Sequence, residues 1–284
     1  MLERTWLRAV LTILLLCAPV EQILAQVPAN VLLRVLMIQA GKKTGSSFTI
    51  EVDGRQYLLT AKHVVSDLKP EDSIKIRKGD GWWSVKVKVL RCDDPIDIAV
   101  LVPAAQLTVS FPVDLTTNSL FFGQDAYFVG FPYGLSMDGK FANALYPIAF
   151  MKKGAFSAIV DEGKATVIFL DGHNNPGFSG GPITYRDLNQ SGPPVFHVAG
   201  VISGFRPELI PTVAPDVVKP GQDISKEEPW RIEKRDDGRT VIYRDTDQRV
   251  PVNTGIVVGF HIKHAVELIR KNPTGPKVSE TFTP

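Results

Sequence analysis

From Val31 onward the chain is a succession of short β-type runs separated by turn residues, and that pattern admits few folds. The run SFTIEV, the pair Asp53-Gly54 and the run RQYLLTA read as a hairpin, because Asp-Gly supplies the backbone a tight two-residue turn needs. DSIKIRK and WWSVKVKVLRC alternate apolar and polar residues, as half-buried strands do, and IDIAVLV, DAYFVGFP, NALYPIAFM, GAFSAIV, KATVIFL, VFHVAGVISGF and GIVVGFHI continue the series. Many short strands with Gly, Pro and Asp turns predict an all-β barrel or sandwich. One helix is expected near the end, over IKHAVELIRKN, stopped by Pro273. Between Arg206 and Val252 the alternation fades and Pro207, Pro211, Pro215, Pro220 and Pro229 recur, so 206–252 reads as a projecting insertion, part loop and part hairpin turning at Asp237-Gly238.

The 284 residues carry 32 basic and 30 acidic side chains, a formal net charge of +2, with the basic residues scattered among acids. That balance argues against a nucleic-acid binder. At the start, Arg4 and Arg8 precede an uncharged, mainly apolar run from Ala9 to Val20, followed by Ile23-Leu24-Ala25. A basic start, a short apolar stretch and a small residue form a secretory leader, so residues 1–25 are expected to be removed and the protein exported, to a periplasm or outside the cell. The run is shorter than the ~20 apolar residues of a spanning helix, and an uncleaved membrane anchor is the alternative. Cys17 would leave with the leader; Cys92 then stands alone, without an internal disulfide, as a buried small hydrophobe. No stable membrane insertion is expected after cleavage.

The stretch NNPGFSGGP, Asn174 to Pro182, carries the chemistry. A serine hydroxyl is a poor nucleophile until a neutral imidazole takes its proton and a carboxylate fixes the tautomer of that imidazole. Candidates occur in a consistent order: His63 in LLTAKHVV, Asp97 in DPIDIAVL, and Ser179. Asp94 is a rival to Asp97 but lacks the strand that follows directly. His173, His197, His261 and His264 show no metal-ligand spacing, so neither a metal nor a cofactor is expected.

The motifs T-A-x-H at Thr60–His63, D-I-A-V-L at Asp97–Leu101 and G-x-S-G-G-P at Gly177–Pro182 resemble the trypsin/chymotrypsin superfamily of serine proteases, most strongly its bacterial trypsin-like group that includes the HtrA-type proteases. GSSF at Gly45, YFVGFPYG at Tyr127 and the VVGFHI strand before a helix support the likeness, which covers about Val31 to Lys271. It implies two packed six-stranded β-barrels with a C-terminal helix, roughly 31–112 and 118–265 within a protease domain of 26–272; the polar, proline-containing residues 273–284 read separately as a flexible tail. It also implies Ser179 as nucleophile, His63 as general base and then acid, and Asp97 as orienting carboxylate, with the Gly177 and Ser179 N–H groups as the oxyanion hole. The substrate pocket implied is walled by Ser203-Gly204-Phe205, by His173 to Pro176 and by the strand around Val258.

His173 stands where enzymes of basic specificity carry an acid, and Phe205 and Val258 fall where small glycines keep the pocket open, so small or medium aliphatic side chains are the expected substrates; recognition of an acidic or amide side chain by His173 is the alternative. Phe178 replaces the acid that pairs with a new N-terminus in pancreatic-type enzymes; the expectation is a loop held by packing of Phe178 and by Pro176. A PDZ domain is not expected after Lys271, and trimer assembly does not carry over. The function implied is an exported serine endopeptidase acting on polypeptides through an acyl-enzyme; a catalytically silent protease-fold binding protein and an esterase are the alternatives.

Overall fold

The computed structural model of the chain describes residues 28–142, 144–225 and 229–279. The expected leader at 1–25 lies outside the described residues. A short helix α1 (Ala29–Leu32) leads into six strands, β1 (Val35–Ala40), β2 (Lys43–Val52), β3 (Arg55–Thr60), β4 (Glu71–Lys78), β5 (Gly81–Arg91) and β6 (Ala99–Pro103). They close into a barrel in the order β1-β2-β3-β6-β5-β4, with Ile38 opposite Ile76 where β1 meets β4. The β2–β3 turn is made by Asp53 and Gly54 at φ 49° and 71°, the doubly positive backbone that matches the twist of a tight hairpin.

The second half contains β7 (Asp114–Leu115), β8 (Asp125–Gly130), β9 (Phe150–Glu162), β10 (Ala165–Asp171), β11 (Pro182–Arg186), β12 (Phe196–Val217), β13 (Arg231–Lys234) and β14 (Thr240–His261), followed by helix α2 (Lys263–Lys271). Strands β14-β10-β9-β8-β11-β12 are neighbours in that order, and a β12–β14 pairing closes them into a second six-stranded ring. The molecule is a chymotrypsin-like two-barrel fold.

Period-two burial explains why the two barrels pack. Leu36, Ile38, Leu58, Ile74, Ile76, Val85 and Leu101 form one apolar cluster inside the first barrel. Phe128, Phe156, Ile168, Phe178, Ile183, Tyr185 and Val257 form another inside the second. The intervening residues on several of the same strands, among them Val35, Met37, Phe48, Ile50, Tyr127, Val129, Val201 and Phe260, form the cluster between the barrels. Strand β1 is therefore buried on both faces, so its sequence VLMIQA is apolar almost throughout. Helix α2 adds Ile262, Ala265 and Ile269 to the same cluster from one side.

Two segments differ from their sequence reading. Residues 206–252 contain the expected hairpin, β13 paired with β14 about the turn at Asp237-Gly238, but the part read as loop is mainly the outward continuation of two barrel strands: β12 and β14 stay paired from Pro207–Asn253 to Val217–Val241. Register shifts between Phe205 and Pro207 and between Pro211 and Val213 absorb the prolines, which is why alternation fades without the chain leaving the sheet. Residues 273–279 are not a free tail. Pro276 accepts the Gln56 N–H at 2.9 Å, the Val278 N–H reaches Gly54 at 3.0 Å, and Arg55 and Tyr57 side chains hold Gly275. The tail covers an edge of β3 that the barrel leaves open, a tertiary reward invisible in its polar composition. Among the described residues no helix is long and apolar enough to cross a membrane.

Candidate active site

His63 sits in a single 3₁₀ turn, Lys62–Val65, immediately after β3, and Asp97 in the loop leading into β6. Burial of Val64 and Val65 anchors the turn and leaves the imidazole, about half exposed, at the mouth between the barrels. The Asp97 carboxylate receives the His63 backbone N–H at 2.9 Å on Oδ1, and His63 Nδ1 at 2.7 Å and the Ser203 hydroxyl at 2.6 Å on Oδ2. Burial alone would raise the Asp97 carboxyl, but the hydrogen bond and charge of His63, with the Ser203 hydroxyl, outweigh it and hold the group below the usual carboxylate value. An ionised carboxylate only accepts, so Nδ1 carries a proton, and whenever the ring holds a single proton Nε2 is its acceptor nitrogen. Asp94 points elsewhere: it is almost fully exposed and pairs with Lys62 Nζ at 2.6 Å.

Ser179 lies in the loop between β10 and β11. Its hydroxyl donates to the Ser203 carbonyl at 2.9 Å, and no hydrogen bond joins it to His63. The loop is tied to the first barrel through Ser46 of β2, whose N–H donates to the Ser179 carbonyl at 2.9 Å and whose hydroxyl donates to the Gly177 carbonyl at 2.6 Å. The same hydroxyl accepts the Phe131 N–H at 2.9 Å, and the Thr60 hydroxyl holds the Ser46 carbonyl at 2.8 Å.

The peptide between Pro176 and Gly177 is fixed from the other side, because the Tyr133 N–H donates to the Pro176 carbonyl at 2.8 Å. With that carbonyl engaged, the Gly177 N–H of the same peptide plane points the opposite way. Among the described residues neither the Gly177 nor the Ser179 N–H donates a hydrogen bond. Gly177 has φ 104°, and a Cβ there would lie 2.2 Å from the Phe131 carbonyl oxygen, which requires glycine twice over. Phe178 is fully buried, its ring edge-on to Phe128 at 5.2 Å between centroids. The loop is thus held by packing of Phe178 and by the anchored Pro176 carbonyl.

The remaining candidates do not all converge. His173 is exposed on the rim; its carbonyl, with Asn175 Oδ1 at 2.6 Å, accepts from Lys152 Nζ, which also lies 5.9 Å from the Phe178 ring centroid. Gly204 and Phe205 lie on β12 opposite Val258 and Val257. Val258 packs onto the cluster between the barrels, and it is Val257 that lies in the interior of the second barrel, its Cγ2 3.6 Å from where a Cβ on Gly172 would stand. Strand parity decides this, and a one-residue displacement in an ungapped reading reverses it. Ser203 serves Asp97 and Ser179 rather than lining a side-chain pocket alone. Three contributors were missed in the sequence: Ser46, Lys152 and Tyr133. Ser46 stood inside the noted GSSF, but a serine in a strand carries no local sign of bridging two barrels. Cys92 is buried, and burial pushes its thiol up to about 12, so it is no nucleophile. Among the described residues no group of three or more His, Cys, Asp or Glu side chains is placed to hold a metal ion.

A family model described as the trypsin-like peptidase domain matches residues 45–189, just over half of the chain and including His63, Asp97 and Ser179. Among solved structures, the HtrA-type protease AlgW with a tripeptide is 18% identical with a TM-score of 0.50, covering 85% of this chain and 60% of that one. A point variant of AlgW, also with a tripeptide, gives 17%, 0.50 and the same coverage. A serine-to-alanine mutant of Rv3671c from M. tuberculosis H37Rv, in an inactive form, is 16% identical with a TM-score of 0.48, covering 86% of this chain and 89% of that one. At such identities the likeness is one of fold, and the chain spans about 60% of the length of the AlgW structures. No curated protein sequence matches the chain. The match over most of the first barrel and the Ser179 loop shows that the chain belongs to the trypsin-like peptidase domain family.

Proposed function

We propose that this protease domain is a serine endopeptidase in which Ser179 attacks the scissile carbonyl, His63 moves the proton and Asp97 orients His63. The observation that carries the reading is the Asp97 carboxylate gripping both Nδ1 and the backbone N–H of His63, at 2.7 and 2.9 Å. That grip fixes the tautomer whose Nε2 can accept a proton. Attack requires the Ser179 hydroxyl to leave the Ser203 carbonyl and turn about its Cα–Cβ bond toward His63. Its proton passes to Nε2, the new negative charge rests between the Gly177 and Ser179 N–H groups, and the imidazolium returns the proton to the departing amine. Water then repeats the sequence on the acyl-enzyme.

The substrates are polypeptides, with a small or medium aliphatic side chain before the cleaved bond, a reading supported by Val257 close to Gly172 and by Phe205 paired with Val257. Residues 1–25 act as a cleaved leader in this reading, and sequencing of the mature N-terminus should begin at Gln26. A peptide-library digest by wild type and Ser179→Ala tests the activity: cleavage after small aliphatic residues, lost in the variant, is expected. Strong cleavage after Lys, Glu or large aromatics would remove the specificity part.

One observation favours a second reading. The Ser179 hydroxyl is committed to the Ser203 carbonyl at 2.9 Å. Were that bond permanent, the chain would be a binding protein on a protease fold, capturing polypeptides without cleaving them.

A further inference from the structure

We propose that the groove beside Gly177 is a subsite for an acidic side chain on the leaving-group side of the scissile bond, read by Arg77 stacked on Trp82. This deepens the serine-protease reading and rests on it.

The groove has a volume of about 470 Å³ and runs from Pro176, Gly177 and Tyr133 to Met37, Arg77 and Trp82 of the first barrel. Its position gives the direction of the substrate. In the serine-protease reading the acyl portion lies along the Ser203–Phe205 edge and the loop at 173–175, and the developing oxyanion meets the Gly177 N–H. The groove lies against Gly177 and crosses to the first barrel, which also carries His63, and in this proposal it takes the leaving-group side. A chain that enters it carries the residues after the cleaved bond.

Its chemistry comes from the end of the β4–β5 hairpin. Arg77 and Trp82 are cross-strand partners, so their side chains emerge on one face, and the guanidinium carbon lies 5.6 Å from the indole centroid. Stacking restricts the guanidinium while leaving its edge N–H groups open, the geometry suited to a planar carboxylate. Among the described residues Arg77 has no carboxylate partner and donates no hydrogen bond, although it is half-buried. Lys75, two positions along the same face of the strand, adds positive charge. A half-buried, pre-oriented cation lacking an acceptor is a reason for an incoming carboxylate to be preferred over its amide.

Acyl transfer reads the subsite directly. An ester substrate with a small aliphatic acyl residue acylates Ser179; a dipeptide amide then competes with water. Its amine forms a bond to the acyl carbon as the Ser179 ester bond breaks, and His63 relays the amine proton to the serine oxygen. For wild type, a Glu-containing dipeptide amide should be captured about tenfold better than its Gln counterpart. Arg77→Glu should reverse the order in favour of a Lys-containing dipeptide amide, and Arg77→Lys should keep a reduced preference for Glu. The readout is a ratio within one enzyme, so altered overall activity cannot imitate it. Equal capture of Glu and Gln by wild type, or an unchanged ratio in both variants, overturns the subsite with the protease reading intact. No acylation of wild type overturns that reading and the subsite together.

Discussion

The hydroxyl of Ser179 is hydrogen-bonded to the carbonyl of Ser203, and the hydroxyl of Ser203 is hydrogen-bonded to Asp97. One residue of β12 therefore holds the candidate nucleophile at rest and secures the carboxylate that orients its base. Removing the Ser203 hydroxyl leaves the fold of β12 intact but takes one of three hydrogen bonds from a largely buried charge. Bonds of this kind contribute about 1.5–3 kcal/mol, so Ser203→Ala should lower kcat/KM by roughly 10- to 100-fold. Steady-state kinetics on a peptide substrate checks this; a value within twofold of wild type would remove Ser203 from the account.

Gly177→Ala should silence the site. A Cβ at that position meets the Phe131 carbonyl at 2.2 Å, so the Pro176–Gly177 peptide must turn and its N–H leave the oxyanion position. Loss of one such donor costs on the order of 100-fold in kcat. Circular dichroism separates this local effect from unfolding: an intact spectrum with lost turnover is expected.

Phe178→Ala acts through packing. The ring is fully buried against Phe128, and emptying such a site costs about 3–5 kcal/mol. Thermal unfolding should report the destabilisation, and Phe178→Leu should recover most of it along with activity.

Stability should fall as the medium is acidified from pH 6.5 toward 4. His261 is pushed down to about 4 by burial, then by the charges of Lys263 and His264. His264 is lowered by burial first and by Lys263. Each ring nitrogen accepts a backbone N–H, from Lys263 to His261 Nδ1 at 3.0 Å and from Thr166 to His264 Nε2 at 2.9 Å, and a protonated ring cannot accept. The unfolded chain binds these protons first, so the stabilisation present above the ordinary histidine value is lost on the way down through the folded one. The ring is partly exposed and solvent screens the effect, so for His261 the loss by pH 5 is about 1 kcal/mol. Urea unfolding at pH 7 and pH 5 measures it, and His261→Asn, whose side-chain oxygen can still accept the Lys263 N–H, should flatten the dependence.

Deleting residues 273–284 should lower the melting temperature by several degrees. The deletion exposes the β3 edge and removes the bonds from Gln56 and Tyr57 to the tail. Bonds of about 1 kcal/mol each shift the midpoint by ~2–4 °C in a domain of this size. Differential scanning calorimetry gives the answer; an unchanged midpoint would mean the tail is bound only weakly.

The strands and the β2–β3 turn were readable because they rest on local signals, and the grouping of His63 with Asp97 because their motifs resemble those of a known family. Alternation marks strands, Asp53-Gly54 marks a turn, and the short motifs fix where each side chain leaves its strand. What stayed hidden is decided by register and long-range pairing. Val257 and Val258 differ in sequence by nothing but position, yet strand parity sends one into the second barrel and the other to the cluster between barrels. Ser46 reaches Gly177 across 131 positions, and Arg77 meets Trp82 only because a hairpin turns at Gly79 and Asp80. The proline-rich stretch after Arg206 hid a long ribbon because bulges accommodate prolines that would break a regular central strand.

The central claim is that Ser179 is an activated nucleophile. Incubation with a small aliphatic active-site phosphonate, followed by mass spectrometry of the intact protein and its peptides, tests it most directly. The account predicts one covalent adduct, on Ser179, in wild type and none in Ser179→Ala. An unmodified wild type, under conditions that label a known serine protease, would contradict it; so would an adduct that persists in Ser179→Ala.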